Sequence, residues 1–243
     1  MTTPKINLNT TINKIINKIE KFEIKKIKLS AKYISETHFN GGKLFLFGTG
    51  HNHCLAEEGL HRAGGYANAC PILDDSINFS KGIKKASKSE RTIGVAKFLL
   101  KKYKIQKNDT LIIFTNSGVN QAPLEAAYLA KKIKCKTFGI SSEKYSKIAK
   151  KSKYKKKLSD VVNYHIDNCG PPGDALININ KKFKVSPFST IAGSFILNSI
   201  LSEVAELCKN EKPFPFYISG NMPNAQKHND NLAKHYKKRN PHI

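Results

Sequence analysis

Lys43-Leu44-Phe45-Leu46-Phe47-Gly48-Thr49-Gly50 is the stretch on which the fold turns. Its apolar run does not alternate with polar residues and is too short for a buried helix, which predicts a strand covered on both faces. It breaks at once into a Gly-rich turn, and residues 53–62 then carry helical character, closed by Gly64-Gly65. The pattern recurs. Residues 110–114 form an apolar run ending in Thr115-Asn116-Ser117-Gly118, and residues 136–140 predict a third strand, ending in Ser141-Ser142. Residues 70–73 and 161–166 predict further strands. Helices are predicted over 92–104 and over 121–132, where Pro123 falls in the first turn and its missing N–H does little harm. Strands alternating with helices imply a parallel sheet with helices on both faces, an α/β fold.

Outward from this centre, Ile12, Ile15, Ile16, Ile19, Ile27, Ala31 and Ile34 recur at helical spacing and predict one helix over 10–38. Asn9 or Thr10 is the expected cap, and Asn40-Gly41-Gly42 the stop. Residues 74–91 read as a long polar loop over the site, 175–179 and 214–218 as short strands, and 189–208 as a long apolar helix. Residues 222–243 form a basic tail, partly helical or loose. The expected organisation is an N-terminal helical extension (1–40), one domain (41–220) and the tail (221–243).

Composition narrows the function. The net charge is +24, yet only Arg62, Arg91 and Arg239 among the 42 basic residues are arginines. Nucleic-acid readers favour the planar, bidentate guanidinium, so this lysine excess reads as a solvated surface, including residues 147–157, and no nucleic-acid partner is expected. A positive field still draws anionic metabolites to a cleft. No apolar run approaches the ~20 residues of a membrane span, and no apolar signal core precedes the first helix. A cytoplasmic protein without a membrane partner is expected. Cys54, Cys70, Cys135, Cys169 and Cys208 are odd in number and contain no Cys-x-x-Cys pair, which fits reduced, packed thiols.

The three strand-ending turns, together with Ser189-Thr190 opening the long helix, offer backbone N–H groups at helix starts and hydroxyls beside them. Those are the donors a phosphate needs. Each turn taken singly has a structural alternative: a glycine for backbone geometry or a hydroxyl acting as a cap. A dinucleotide site would need Gly-x-Gly-x-x-Gly, but His53 stands where the third glycine belongs, and no Walker motif occurs.

The order Phe47-Gly48-Thr49-Gly50-His51-Asn52-His53, then Thr115-Asn116-Ser117-Gly118, then Ser189-Thr190, resembles the sugar isomerase (SIS) domain. Residues 48–65 and 167–176 resemble two blocks of a branch of small single-domain SIS proteins, and the resemblance runs from about residue 10 to about 235. It implies a three-layer α/β/α sandwich with a five-stranded parallel sheet, a phosphorylated-sugar ligand and a homo-oligomer, dimer or tetramer. Carried over by motif, the phosphate-binding residues would be Gly48, Thr49, Gly50, Asn52, Thr115, Asn116, Ser117, Gly118, Asn120, Ser141, Ser189 and Thr190. Asn52 departs from the serine often found there, and Thr115 keeps a hydroxyl where the first serine of the second loop often stands.

The chemistry such a domain implies is aldose–ketose isomerisation, which needs a positioned base and often a histidine to open the ring. Glu58, His51, Glu57 and His61 are the candidates, with Glu57–His61 and Glu58–Arg62 four apart on the predicted helix. The bland alternatives are an ion pair for Glu58–Arg62 and packing roles for His53 and His61. Some SIS isomerases use zinc, but no full ligand set matches here, so neither metal nor cofactor is expected. His228 lies in a tail segment that also resembles this branch and could complete a site across a subunit boundary. Asp174 reads as a turn carboxylate or a ligand contact. A lyase or etherase acting on an amino-sugar phosphate and a non-catalytic phosphosugar sensor are the alternative functions. One helix over residues 1–40 is too little for a helix-turn-helix, which weighs against a transcription regulator.

Overall fold

The computed structural model describes residues 7–243. β1 (Leu44–Gly48), β2 (Ala69–Pro71), β3 (Thr110–Phe114), β4 (Lys136–Ser141) and β5 (Tyr164–Asp167) form one parallel sheet in the order β2-β1-β3-β4-β5. Phe47 of β1 lies opposite Ile113 of β3, and Ile113 opposite Gly139 of β4.

The helices are α1 (Leu8–Phe39), α2 (His53–Glu58), α3 (Ile83–Glu90), α4 (Val95–Lys102), α5 (Gln121–Lys132), α6 (Glu143–Ile148), α7 (Ser189–Leu207) and α8 (Ala225–Tyr236). Side chains alternate across a strand, so β1 splits its apolar residues between two cores. Leu44 and Leu46 pack with Ile27 and Ile34 of α1 and Ile196 and Ile200 of α7. Phe45 and Phe47 face the other way, onto Leu99 of α4 and Ala126 of α5. Two-sided burial is why these strands read as unbroken apolar runs, and it makes the three-layer α/β/α sandwich that the resemblance implied.

Several expectations need correction. Asn7, not Asn9 or Thr10, caps α1, its side chain accepting from the Thr10 N–H at 2.9 Å. The helix after β1 does not reach residue 62. It starts as a 3₁₀ turn at Gly50–Asn52 and ends at Glu58. Gly59 terminates it in close contact with β1, where an added Cβ would lie 2.0 Å from Leu46 Cδ1. The loop over 74–91 contains α3, which buries only Ala86. The helix after it begins at Val95, its first N–H groups held by Glu125, whose carboxylate accepts from Gly94 and Ala96.

Val161 and Val162 are buried, but the strand begins at Tyr164. The run at 175–179 does form a strand, β6 (Ala175–Asn178), outside the main sheet. It pairs antiparallel with β7 (Lys184–Pro187), which sequence reading missed. Residues 214–218 form no strand and contribute one isolated bridge, Phe216 to Tyr66. The C-terminal segment is anchored: Arg239 forms a two-pronged ion pair with the buried Asp109, and the Asn240 amide donates to the Ala69 carbonyl at 3.1 Å.

Candidate functional site

At the carboxyl edge of the sheet, where a doubly wound fold collects ligands, the two glycine-bearing loops behave differently. The loop after β1 is internally satisfied. The Gly50 N–H donates to the Ile77 carbonyl at 2.7 Å, and the Thr49 hydroxyl to Glu90 Oε1 at 2.6 Å. The buried Asn52 amide meets His51 Nε2 at 3.1 Å. Gly48 is required because an added Cβ would lie 2.1 Å from the Asn52 carbonyl oxygen. Phe79 covers Gly50 from the segment before α3. The phosphate role expected of this loop therefore meets few unengaged donors.

The start of α7 is engaged too. Asp174 accepts from the Phe188 and Ser189 N–H groups, at 3.0 and 2.7 Å, and from the Ser189 hydroxyl at 2.7 Å. A carboxylate of the chain thus takes the place expected for a phosphate at Ser189, and Asp174 caps the helix start. Thr190 is exposed and lines a cleft of about 390 Å³ with Gly50, His51, Cys54 and Glu57. The Ser141 hydroxyl is engaged with His165, 2.7 Å from Nε2, and Ser142 caps α6. Burial holds the His165 ring down to about 4, against the opposing pull of Asp167, so it is neutral at ordinary pH.

The loop after β3 differs. Thr115 is tied to the sheet through the Ile140 carbonyl, and the Asn116 side chain accepts from Asn168 at 3.0 Å. Gly118 takes a left-handed φ of 67° and packs against Ser141. Beyond these anchors, the backbone N–H groups of Ser117, Gly118, Val119 and Asn120 find no acceptor among the described residues. The Ser117 hydroxyl and both amide atoms of Gln121 are buried without a hydrogen-bond partner there. Gln121 is 2% exposed, and the nearby Tyr154 hydroxyl does not meet hydrogen-bond geometry with it. Buried polar groups are nearly always paired, so this unpaired set is unusual. Ser117, Asn120 and Gln121 open onto a cavity of about 570 Å³. Arg91, Lys150, Lys151 and Lys153 line its rim, and the unpartnered Ser152 hydroxyl lies beside them. Sequence reading took these lysines as solvated surface and did not single out Gln121 or Glu90. The register of the basic segment against a cavity is a tertiary fact, invisible in a lysine run.

Of the four acid–base candidates, His51 and Glu57 line one cleft, while Glu58 and His61 turn to other partners. Glu57 bonds His53, Oε1 lying 2.9 Å from Nδ1. His53 is buried, which pushes its imidazole pKa down against the pull of Glu57. Glu58 pairs with Arg62 and also meets the Asn198 amide at 3.4 Å, on the flank toward α7. His61 lies beyond the end of α2 and packs on Tyr217 with ring centroids 4.3 Å apart, so no Glu57–His61 pair forms. His51 meets Ser189 Oγ at 3.2 Å. His228 approaches the Phe216 carbonyl of its own chain at 2.9 Å. Among the described residues no group of three or more His, Cys, Asp or Glu is placed to hold a metal ion. His53 and Glu57 engage each other, His51 meets Ser189 and His61 packs on Tyr217.

Residues 9–142 match the family model described as the SIS domain. The chain belongs to the SIS domain family. Relatives in sequence include the UPF0309 protein of Caldanaerobacter subterraneus subsp. tengcongensis, 38% identical over 96% of this chain and 97% of its own length. A UPF0309 protein of Brucella anthropi is 38% identical over 88% of each chain. Among solved structures, the Vibrio vulnificus NanR protein complexed with ManNAc-6P superposes with a TM-score of 0.50 at 11% identity. That match covers 94% of this chain and 66% of the NanR chain, and shows a shared fold. A phosphoheptose isomerase from Francisella tularensis matches with a TM-score of 0.48 at 13% identity, over 83% of this chain and all of that one. No helix among the described residues of this SIS protein is long and apolar enough to cross a membrane.

Proposed function

We propose that this SIS protein binds a phosphorylated sugar or amino sugar, with its phosphate at the N-terminus of α5. The observation that carries this reading is the set of unengaged donors at Ser117, Asn120 and Gln121, facing a cavity rimmed by Arg91 and three lysines. A phosphate dianion suits convergent N–H groups, the positive end of a helix dipole and nearby cations.

The reaction we propose is isomerisation by proton transfer, with His51 as the group that takes or gives the proton. The Asp174 carboxylate can only accept, so it orients the Ser189 hydroxyl proton toward itself. Ser189 Oγ stands 3.2 Å from His51 Nε2, so the other ring nitrogen, Nδ1, is the one offered to a substrate proton. Glu57 shares the cleft with His51 and stands as the nearby carboxylate. A lyase or etherase acting on an amino-sugar phosphate would begin with the same proton abstraction.

A sensor reading is favoured by one observation: Glu57, Glu58 and His61 are each held by a protein partner. Thermal-shift and calorimetric screening with hexose, hexosamine and heptose phosphates tests binding. Incubating the best binder with the protein and following its carbon spectrum by NMR tests turnover. Turnover abolished by His51→Ala supports the isomerase; tight binding without turnover supports the sensor.

A further inference from the structure

The opposite, amino edge of the sheet holds a second cavity of about 460 Å³, built where β1, β2 and β3 begin. Its floor is Lys43. This side chain is 4% exposed, and no carboxylate lies within 4.0 Å of its ammonium among the described residues. Nζ reaches two neutral acceptors, Asn68 Oδ1 at 3.1 Å and the Tyr236 carbonyl at 2.8 Å. The nearby Asp109 is taken by both arms of Arg239. A buried ammonium carries three protons and is costly without a counter-charge. Lysines 212 and 238 stand at the wall, with the rings of His38 and His235, against the single carboxylate of Glu211.

We propose that this amino-edge cavity is a second ligand site, taking a small dianionic oxyanion, the shared chemistry of phosphate groups and dicarboxylates, whose oxygen completes the partners of Lys43. The reasoning stands apart from the carboxyl-edge cavity: the two lie at opposite ends of the strands and share no residue. Tyr236 and Arg239 bring the C-terminal segment into the site, so an anion here would also tighten that segment onto the domain. Burial lowers the Lys43 ammonium to about 8, which leaves it mostly protonated at neutral pH and strengthened as a cation when an anion arrives.

The test is a heteronuclear NMR titration of the full chain with inorganic phosphate and, separately, with succinate. Saturable shifts at the amides of Lys43, Asn68 and Tyr236 are expected with at least one of them, and which anion acts distinguishes a phosphate from a dicarboxylate site. Affinity should fall about tenfold in Lys43→Met, the loss of one charge-assisted contact. It should also fall in the doubly substituted Lys212→Glu, Lys238→Glu chain, whose changes are at exposed positions and decide the matter if Lys43→Met does not fold. No saturable shift at these amides up to tens of millimolar of either anion overturns the proposal. So do shifts of equal affinity in the charge-reversed chain.

Discussion

Asp174 grips Ser189 twice: one carboxylate oxygen takes its backbone N–H and the other its hydroxyl, both at 2.7 Å. The N-terminus of α7 is thereby filled by the chain's own anion, and the unengaged donors of the carboxyl edge remain at α5. Asp174→Ala should cost ~1–2 kcal/mol, the worth of an N-cap with a favourable dipole contact. Asp174→Asn should cost less. Urea unfolding of the three proteins checks this, and equal midpoints would show that the carboxylate does not hold the helix.

The polar groups left without partners set up a trade between stability and binding. Gln121 is buried with an unpaired amide, so Gln121→Met should leave the free protein as stable or raise it by about 1 kcal/mol, since an unmet buried donor is removed. Ser117→Ala should be close to neutral for the same reason. Both should weaken phosphosugar binding about tenfold or more. Thermal melts with and without ligand separate the two effects. A large loss of stability in Gln121→Met would show that the amide is structurally engaged.

Glycines of one loop should respond unequally. At Gly48 a Cβ would strike the Asn52 backbone at 2.1 Å, so Gly48→Ala should cost on the order of 3 kcal/mol or more, or prevent folding. Gly50 has a φ of 58° but meets only the Phe79 ring at 3.4 Å. Gly50→Ala should cost only about 1 kcal/mol. Chemical denaturation gives the ordering, and equal costs would count against the tight turn described here.

Acid should weaken the fold through His165. Its ring is held down to about 4 by burial, against an ordinary 6.5. Above 6.5 neither state takes the proton and the group is silent. Between the two values the unfolded chain is protonated first, so stability falls as pH drops, by about 3 kcal/mol at pH 4. His38, His53 and His242 are shifted the same way by burial and add to the trend. His165→Gln should flatten the pH dependence measured by urea unfolding. An unchanged slope would remove His165 as its source.

β1 and β3 were legible because two-sided burial leaves a nearly unbroken apolar run, and β3 and α5 begin and end where patterning put them. What patterning missed depends on contacts distant in sequence. The end of α2 is set by Leu46 packing on Gly59, and α3 is a polar helix anchored by one buried alanine. β6 and β7 support each other outside the main sheet, with no signal beyond an apolar stretch followed by lysines. At the site, motif order pointed to Ser117 and Asn120. It did not foresee that Asp174 would occupy Ser189, nor that Gln121 would be buried with both amide atoms unmet.

The most direct test of phosphosugar binding at α5 is a calorimetric titration of hexose, hexosamine and heptose phosphates and their unphosphorylated sugars. Wild-type protein, Ser117→Ala and Arg91→Glu should be compared. At least one phosphosugar should bind the wild-type chain below millimolar Kd and its unphosphorylated sugar should not, with both variants weakened about tenfold. No binding across the panel, or equal binding by all three proteins, would contradict a phosphate seat at Ser117 and Gln121.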